Sequence, residues 1–385
     1  MSFGILALIV CVGLLGPLLS AVRPNLFPVL VGEIVAGIVI GRTGFRWLDT
    51  TNVTVEFLAN VGFAMLMFAA GMNVPLRNRA LLGSIRRGAV AAAFVTLLAI
   101  PGGFLLSRFH GADHPAVFAL LLATGSAAVA LPILDEAGLL ARAAALTVLV
   151  QVTVADVASI VAVPLVLQPD RAARSVLGTI AVVACAVGIL GVASIARRRG
   201  VVKRLRRLSK QNAWALDLRV SLLVLFALAW LATVIGTSIL IAGFAVGLMA
   251  AWLGGPKRFS RQVTGVAQGL FVPLFFVVLG AKIDLRAIAS EPSLVGLAAS
   301  LVALNVAIRL IVARLTHQPL GAALVATSQL GVPAAVVALG FQEHVISPGV
   351  GGAIITAALV TVALTAAGAA LLGREAPTAQ PRPAT

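Results

Sequence analysis

The residue with the clearest chemical potential is Asp156, an acid near the centre of the apolar stretch Ala143–Leu167. A helix rises about 1.5 Å per residue and the hydrocarbon core of a bilayer is about 30 Å thick, so this position lies close to the midplane. A centred Asp costs roughly 2.5–3.5 kcal/mol on insertion scales, and such residues usually face a cavity, a partner or an ion path. The plain alternative is a structural carboxylate bonded to a neighbouring helix. A carboxylate withdrawn from water can hold a proton or a small hard cation at cellular pH, but not readily both. Competition for one site, with access alternating between the two sides, is exchange of a cation for a proton.

Two further segments carry polar atoms at membrane depth. LLLATGSAAVALPIL (Leu120–Leu134) and ALVATSQLGVPAAVVAL (Ala323–Leu339) share an Ala-Thr pair, then small polar residues, then a Pro. Proline removes a backbone donor and clashes with the carbonyl one turn earlier, and glycine loosens the same turn. Gly125, Pro132, Gly331 and Pro333 therefore mark predicted helix breaks. In lipid a break persists only where the freed backbone groups face protein, water or substrate. Thr124, Ser126, Thr327, Ser328 and Gln329 would supply oxygens or amide dipoles beside Asp156. Two independent proline kinks are the simpler alternative.

The elements that must position these residues follow from composition. Of the 385 residues, 60% are hydrophobic and 11% charged, which no soluble domain tolerates. Thirteen apolar segments are read at about 3–22, 26–41, 55–74, 86–107, 115–134, 143–167, 175–196, 215–234, 237–254, 263–281, 293–313, 319–341 and 350–372. The two interrupted segments are the fifth and twelfth, an odd offset that places them in opposite orientations. Paired broken helices in two halves point to an inverted-repeat secondary transporter. No basic region precedes Phe3–Val22, so a retained first span is expected rather than a cleaved signal. The segment 373–385 is expected to be a disordered cytoplasmic tail.

The net charge of +16 is mostly a topology signal. Loops after even-numbered spans hold only Arg42, Arg46, Arg108, Arg171, Arg174, Lys282 and Arg286, and nearly all other basic residues fall on the opposite side. The positive-inside rule puts the N-terminus outside and the C-terminus in the cytoplasm. The run RRRGVVKRLRRLSK (Arg197–Lys210) reads as a linker helix along anionic lipid, and no aromatic pattern supports nucleic-acid binding. Cys11 and Cys185 form no disulfide or metal pattern. With no phosphate loop, metal constellation or nucleophile–base pair, an enzyme and a bound cofactor are not expected.

The sequence resembles the monovalent cation:proton antiporter superfamily, in particular its bacterial Kef/NapA-like sodium/hydrogen exchanger branch. The resemblance rests on VGEIVAGIVIG (Val31–Gly41), FLANVGFAMLMFAAGMNV (Phe57–Val74), GSAAVALPILDEAGLL (Gly125–Leu140) and VTVADVASIVAVPLV (Val152–Val166), in that order. It implies an all-α polytopic membrane protein of about thirteen transmembrane helices, with inverted repeats and two crossed discontinuous helices, as in the NapA/NhaA-like antiporter fold. It also implies a single transmembrane domain (1–372) in two parts. The dimerisation part is mainly 1–75 and 215–281, the core mainly 86–167 and 293–372, and the linker helix 175–210. The implied assembly is a homodimer, and the implied cargo is H⁺ and Na⁺ or K⁺.

By the same resemblance, the acidic dyad of many members reads Ala155-Asp156 here, and the Ser-Thr pair at the first break reads Ser126-Ala127. Asn305 takes the place of a Lys that faces the dyad in many members. The two losses are coherent, because a buried Lys without its carboxylate is an unpaired charge. The expectation is electroneutral exchange of one proton for one cation. Arg309 lies one turn beyond Asn305. It either becomes the cationic partner of the core, bonds broken-helix carbonyls, or snorkels to the cytoplasmic end. Glu33 is expected in an interhelical hydrogen bond or a funnel, and Asp135 and Glu136 in a solvated loop or an acidic funnel. The main rival reading is a Kef-like cation channel or uniporter without obligatory proton exchange.

Overall fold

A chain this apolar must satisfy its backbone within each segment, and helices do so. The computed structural model describes residues 3–22, 29–72, 83–111, 114–169, 172–200, 202, 205, 207, 214–253 and 257–375, and these hold helices and no strand. In chain order they are α1 (Phe3–Gly13), α2 (Leu15–Val22), α3 (Val29–Ile40), α4 (Val53–Met72), α5 (Ile85–His110), α6 (Pro115–Ala123), α7 (Ala127–Glu136), α8 (Ala143–Leu167) and α9 (Ala172–Arg198). There follow α10 (Leu216–Ile235), α11 (Ile239–Leu253), α12 (Lys257–Val266), a π-helical turn at Ala267–Phe271, α13 (Val272–Lys282) and α14 (Leu285–Ser290). The last are α15 (Pro292–Leu315), α16 (Leu320–Val325), α17 (Gly331–Gln342) and α18 (Pro348–Arg374).

Ten of the described segments are long and apolar enough to cross a membrane, and Val29–Ile40, Ile239–Leu253 and Gly331–Gln342 are shorter apolar helices. Each of these overlaps one of the thirteen segments read from the sequence, and ten of them reach membrane length. The first span is divided at Leu14, whose N–H is shared between the carbonyls of Val10 and Cys11. The tenth contains the π-helical turn just before Pro273. The last helix extends to Arg374, so the expected tail is helical at its start, and residues 376–385 lie outside the described residues.

The chain forms two compact units. One comprises Met1–Asn78, Ala158–Val295 and Gly331–Ile355. Within it α4 packs against α11 and α13, α13 against α3, and α11 against α9 and α10. Phe63 stacks on Phe275 with ring centroids 5.1 Å apart. Lys282 and Glu56 form an ion pair at 3.6 Å. Glu33 on α3 is buried, and its Oε2 atom has no hydrogen-bond partner.

The other unit comprises Arg79–Val157, Gly296–Leu330 and Thr356–Thr385. Here α5 packs along α6, and a buried cluster joins Leu134, Leu149, Val152, Val325 and Leu372. A Cβ on Gly321 would lie 2.4 Å from the Leu372 nitrogen, and one on Gly368 would lie 2.7 Å from the Val325 nitrogen. Small residues thus bring α16 and α18 into backbone contact, the way helices pack without a hydrophobic drive between them. The Arg142 guanidinium donates to Leu372 O at 2.7 Å and Gly373 O at 3.4 Å. A cation there satisfies the orphan carbonyls at the end of α18.

Candidate functional site

The site is built where two helices stop and restart. Pro115 opens α6 in its first turn, where a missing N–H is harmless. The chain leaves the helix at Thr124 (φ −69°, ψ 162°), passes Gly125 and extended Ser126 (φ −138°, ψ 102°), and resumes as α7 at Ala127. In the second break α16 ends at Val325, and Ala326–Leu330 runs irregularly until Gly331. Each interruption frees carbonyls on the preceding half and N–H groups on the following half.

Pro132 lies inside α7, and Pro333 in the first turn of α17, so both prolines follow the breaks rather than sit in them. Gly125 does sit in its break. A Cβ there would lie 2.9 Å from both Cα and Cβ of Val152, so only glycine lets this turn lie against α8.

Arg309 on α15 takes up the freed carbonyls. Its Nε donates to Ala326 O at 3.1 Å, its Nη1 to Leu122 O and its Nη2 to Thr124 O. The C-terminal ends of α6 and α16, each carrying partial negative charge, therefore share one guanidinium that is only 2% exposed. Of the roles the sequence left open, the geometry selects carbonyl binding. One turn earlier Asn305 donates from Nδ2 to Thr327 O at 3.2 Å, while its buried Oδ1 has no partner.

Asp156 meets the opposite pole. Its Oδ2 accepts the N–H of Ala127, the first residue of α7, at 3.3 Å. The N-terminal end of a half-helix thus faces the carboxylate, the arrangement in which a helix dipole and free N–H groups hold an anion. Asp156 is 9% exposed, the neighbouring Ala155 is 7% exposed, and among the described residues no cationic side chain forms an ion pair with the acid.

The two breaks are tied to each other directly. Ser328 Oγ donates to Ser126 O at 3.3 Å, and Gln329 Nε2 donates to Leu121 O at 2.6 Å. The Thr124 hydroxyl donates to Gly125 O at 3.2 Å, and that of Thr327 to Leu324 O at 2.6 Å. All these side chains are buried. Thr124, Ser126, Asp156, Asn305, Arg309, Thr327, Ser328 and Gln329 are therefore gathered within one unit. Asp135 and Glu136, by contrast, are exposed at the end of α7.

Sequence reading missed the carbonyls of Leu121, Leu122 and Ala326, since any residue supplies a carbonyl. It also missed Thr361 on α18, whose hydroxyl lies 3.5 Å from Gln329 O. A lone threonine in an apolar helix gives little warning. Among the described residues no group of three His, Cys, Asp or Glu could hold a metal ion.

Among the described residues, ten membrane-length apolar segments, a buried acid and two interrupted helices mark a multi-pass membrane protein. The chain belongs to the sodium/hydrogen exchanger family: the family model described as "Sodium/hydrogen exchanger, transmembrane" matches residues 6–372. It is 24% identical to YjbQ of Bacillus subtilis over 94% of this chain and 62% of that protein. It is 26% identical to the Na(+)/H(+)-K(+) antiporter GerN of Bacillus cereus over 69% of this chain and 67% of that protein. The chain thus spans about two thirds of the length of these relatives. In fold it resembles the sodium proton antiporter MjNhaP1 of Methanocaldococcus jannaschii, with a TM-score of 0.63 at 16% identity, covering 97% of this chain and 98% of that one.

Proposed function

We propose that this protein exchanges a monovalent cation, Na⁺ or K⁺, for H⁺ across the membrane, with Asp156 as the shared site. The observation that carries the proposal is the buried Asp156 carboxylate facing the N-terminal end of α7 at the first helix break. In the proton-loaded state the carboxyl is neutral. In the cation-loaded state it is charged, and oxygens at the break, from Thr124 and Ser126, complete the coordination. Because one carboxylate holds either load, release of one must precede uptake of the other. Alternation of access between the two sides then makes the exchange obligatory.

Arg309 is the fixed positive charge of this scheme. It stays bound to carbonyls through the cycle and holds the C-terminal half-helix ends in place. With Ala155 and Asn305 where a second acid and a lysine would be, one proton moves per cation and the exchange is electroneutral. The assembly we propose is a homodimer in a bacterial plasma membrane, N-terminus outside and C-terminus in the cytoplasm, with the two broken helices related as inverted repeats.

The test is proton flux in proteoliposomes on addition of Na⁺ or K⁺, for wild type and Asp156→Asn. Cation-triggered proton movement that disappears in the variant is the expected result. Tracer cation crossing without any proton movement would overturn exchange in favour of a channel.

A further inference from the structure

A cleft of about 480 Å³ opens in the first of the two units, between the end of α9, the start of α10 and the end of α11. Its volume is that of a small-molecule site, for which about 300–1,000 Å³ is usual. Val192, Ala193, Val220, Val246 and Ala250 make its walls apolar, and Val192 and Val220 are also exposed on the flanks of their helices. Such apolar flanks suit a lipid tail rather than water, and an acyl chain could enter the cleft between them.

Its mouth is polar and positive. Arg197 lines it and donates to Leu253 O, and Arg198 and Arg199 follow directly at the exposed end of α9. They open the basic run Arg197–Lys210. Trp214, just before α10, and Trp252, near the end of α11, are both exposed at this end. Exposed tryptophans mark the headgroup level of a bilayer. Asp217 also lines the cleft but is already engaged by another group.

We propose that this cleft is a binding site for one anionic phospholipid of the surrounding bilayer. An acyl chain lies between α9, α10 and α11, and the phosphate meets the arginines at the end of α9. The basic run alone would attract any anionic surface; an apolar cleft beneath it adds a place for a single chain to be retained. A zwitterionic lipid gains the cleft but not the charge complementarity.

Native mass spectrometry of the purified protein, titrated with phosphatidylglycerol or phosphatidylcholine of matched chains, tests this. Wild type is expected to retain phosphatidylglycerol at least about tenfold better than phosphatidylcholine, a difference of about 1.4 kcal/mol. Ala250→Phe, which fills the cleft without altering charge, is expected to abolish retention of both. Arg198→Gln with Arg199→Gln is expected to remove the discrimination and leave weak binding of each. Ala193→Leu fills the same cleft from α9 and serves where the Phe variant does not fold. Equal retention of the two lipids by wild type, or unchanged phosphatidylglycerol binding in the filled-cleft variants, overturns the proposal.

Discussion

Two buried ionisable groups of opposite kind sit at the helix breaks, and each is bonded to backbone atoms. Arg309 binds the carbonyls of Leu122, Thr124 and Ala326, and Asp156 binds the N–H of Ala127. Lysine cannot reproduce a planar fork serving three acceptors. Arg309→Ala leaves three buried carbonyls unpaired, and a loss of about 3–5 kcal/mol is expected, measured as a large drop in melting temperature in detergent. Arg309→Lys is expected to recover only part of it. Glu33 provides the contrast. It is a buried carboxyl in the other unit with Oε2 unpartnered, so Glu33→Gln should leave cation-triggered proton flux near wild type while Asp156→Asn abolishes it. If both variants lose flux at unchanged protein levels, the assignment of the exchanging carboxyl to Asp156 alone is wrong. Asp156 was legible in the sequence because a charge in an apolar run stands out by composition. The choice among the roles of Arg309 was not, because its partners are backbone atoms that every residue carries.

At the scale of elements, the two breaks were legible and their mechanics were not. Thirteen apolar segments could be read because hydrocarbon demands length and composition of each span independently. The π-helical turn at Ala267–Phe271 left no such trace, since Ala-Gln-Gly-Leu-Phe suits an ordinary helix as well. The prolines drew attention to both interruptions, yet Pro132 and Pro333 lie beyond them, inside or at the start of the second halves. The glycines also separate in role. A Cβ on Gly125 meets Val152 Cα at 2.9 Å, whereas one on Gly331 meets nothing within 4 Å. Gly125→Ala is therefore expected to displace the turn that presents α7 to Asp156 and to reduce exchange at least about tenfold, equivalent to about 1.4 kcal/mol. Gly331→Ala is expected to keep exchange and to gain up to about 1 kcal/mol from reduced backbone freedom. Flux assays and melting curves on the two variants decide the point, and equal damage from both would show that proximity to α8 is not what Gly125 provides.

For the whole molecule, the one-for-one exchange proposed at Asp156, with Ala155 and Asn305 beside it, predicts indifference to membrane voltage. Each unbalanced charge per cycle would couple transport to about 2.3 kcal/mol per 100 mV. A one-for-one exchange at Asp156 carries none, so the proton flux of wild type should be the same with the membrane potential clamped or free. Placing an acid and a lysine at positions 155 and 305 tests the same point. Asn305→Lys alone places a buried cation where the amide now donates to Thr327 O, and should lower stability. Ala155→Asp alone adds a second acid beside Asp156, in a setting where like charges oppose one another, and should do the same. By the family resemblance the two positions face one another, so the double variant should be more stable than the sum of the single losses predicts, a coupling of about 0.5–3 kcal/mol in a double-mutant cycle. If the pair also gains a second exchangeable proton, its flux becomes voltage-sensitive where wild type is not. Additive losses with no change in voltage response would show that the two substitutions are unrelated, and that electroneutrality, if observed, has its origin elsewhere in the core.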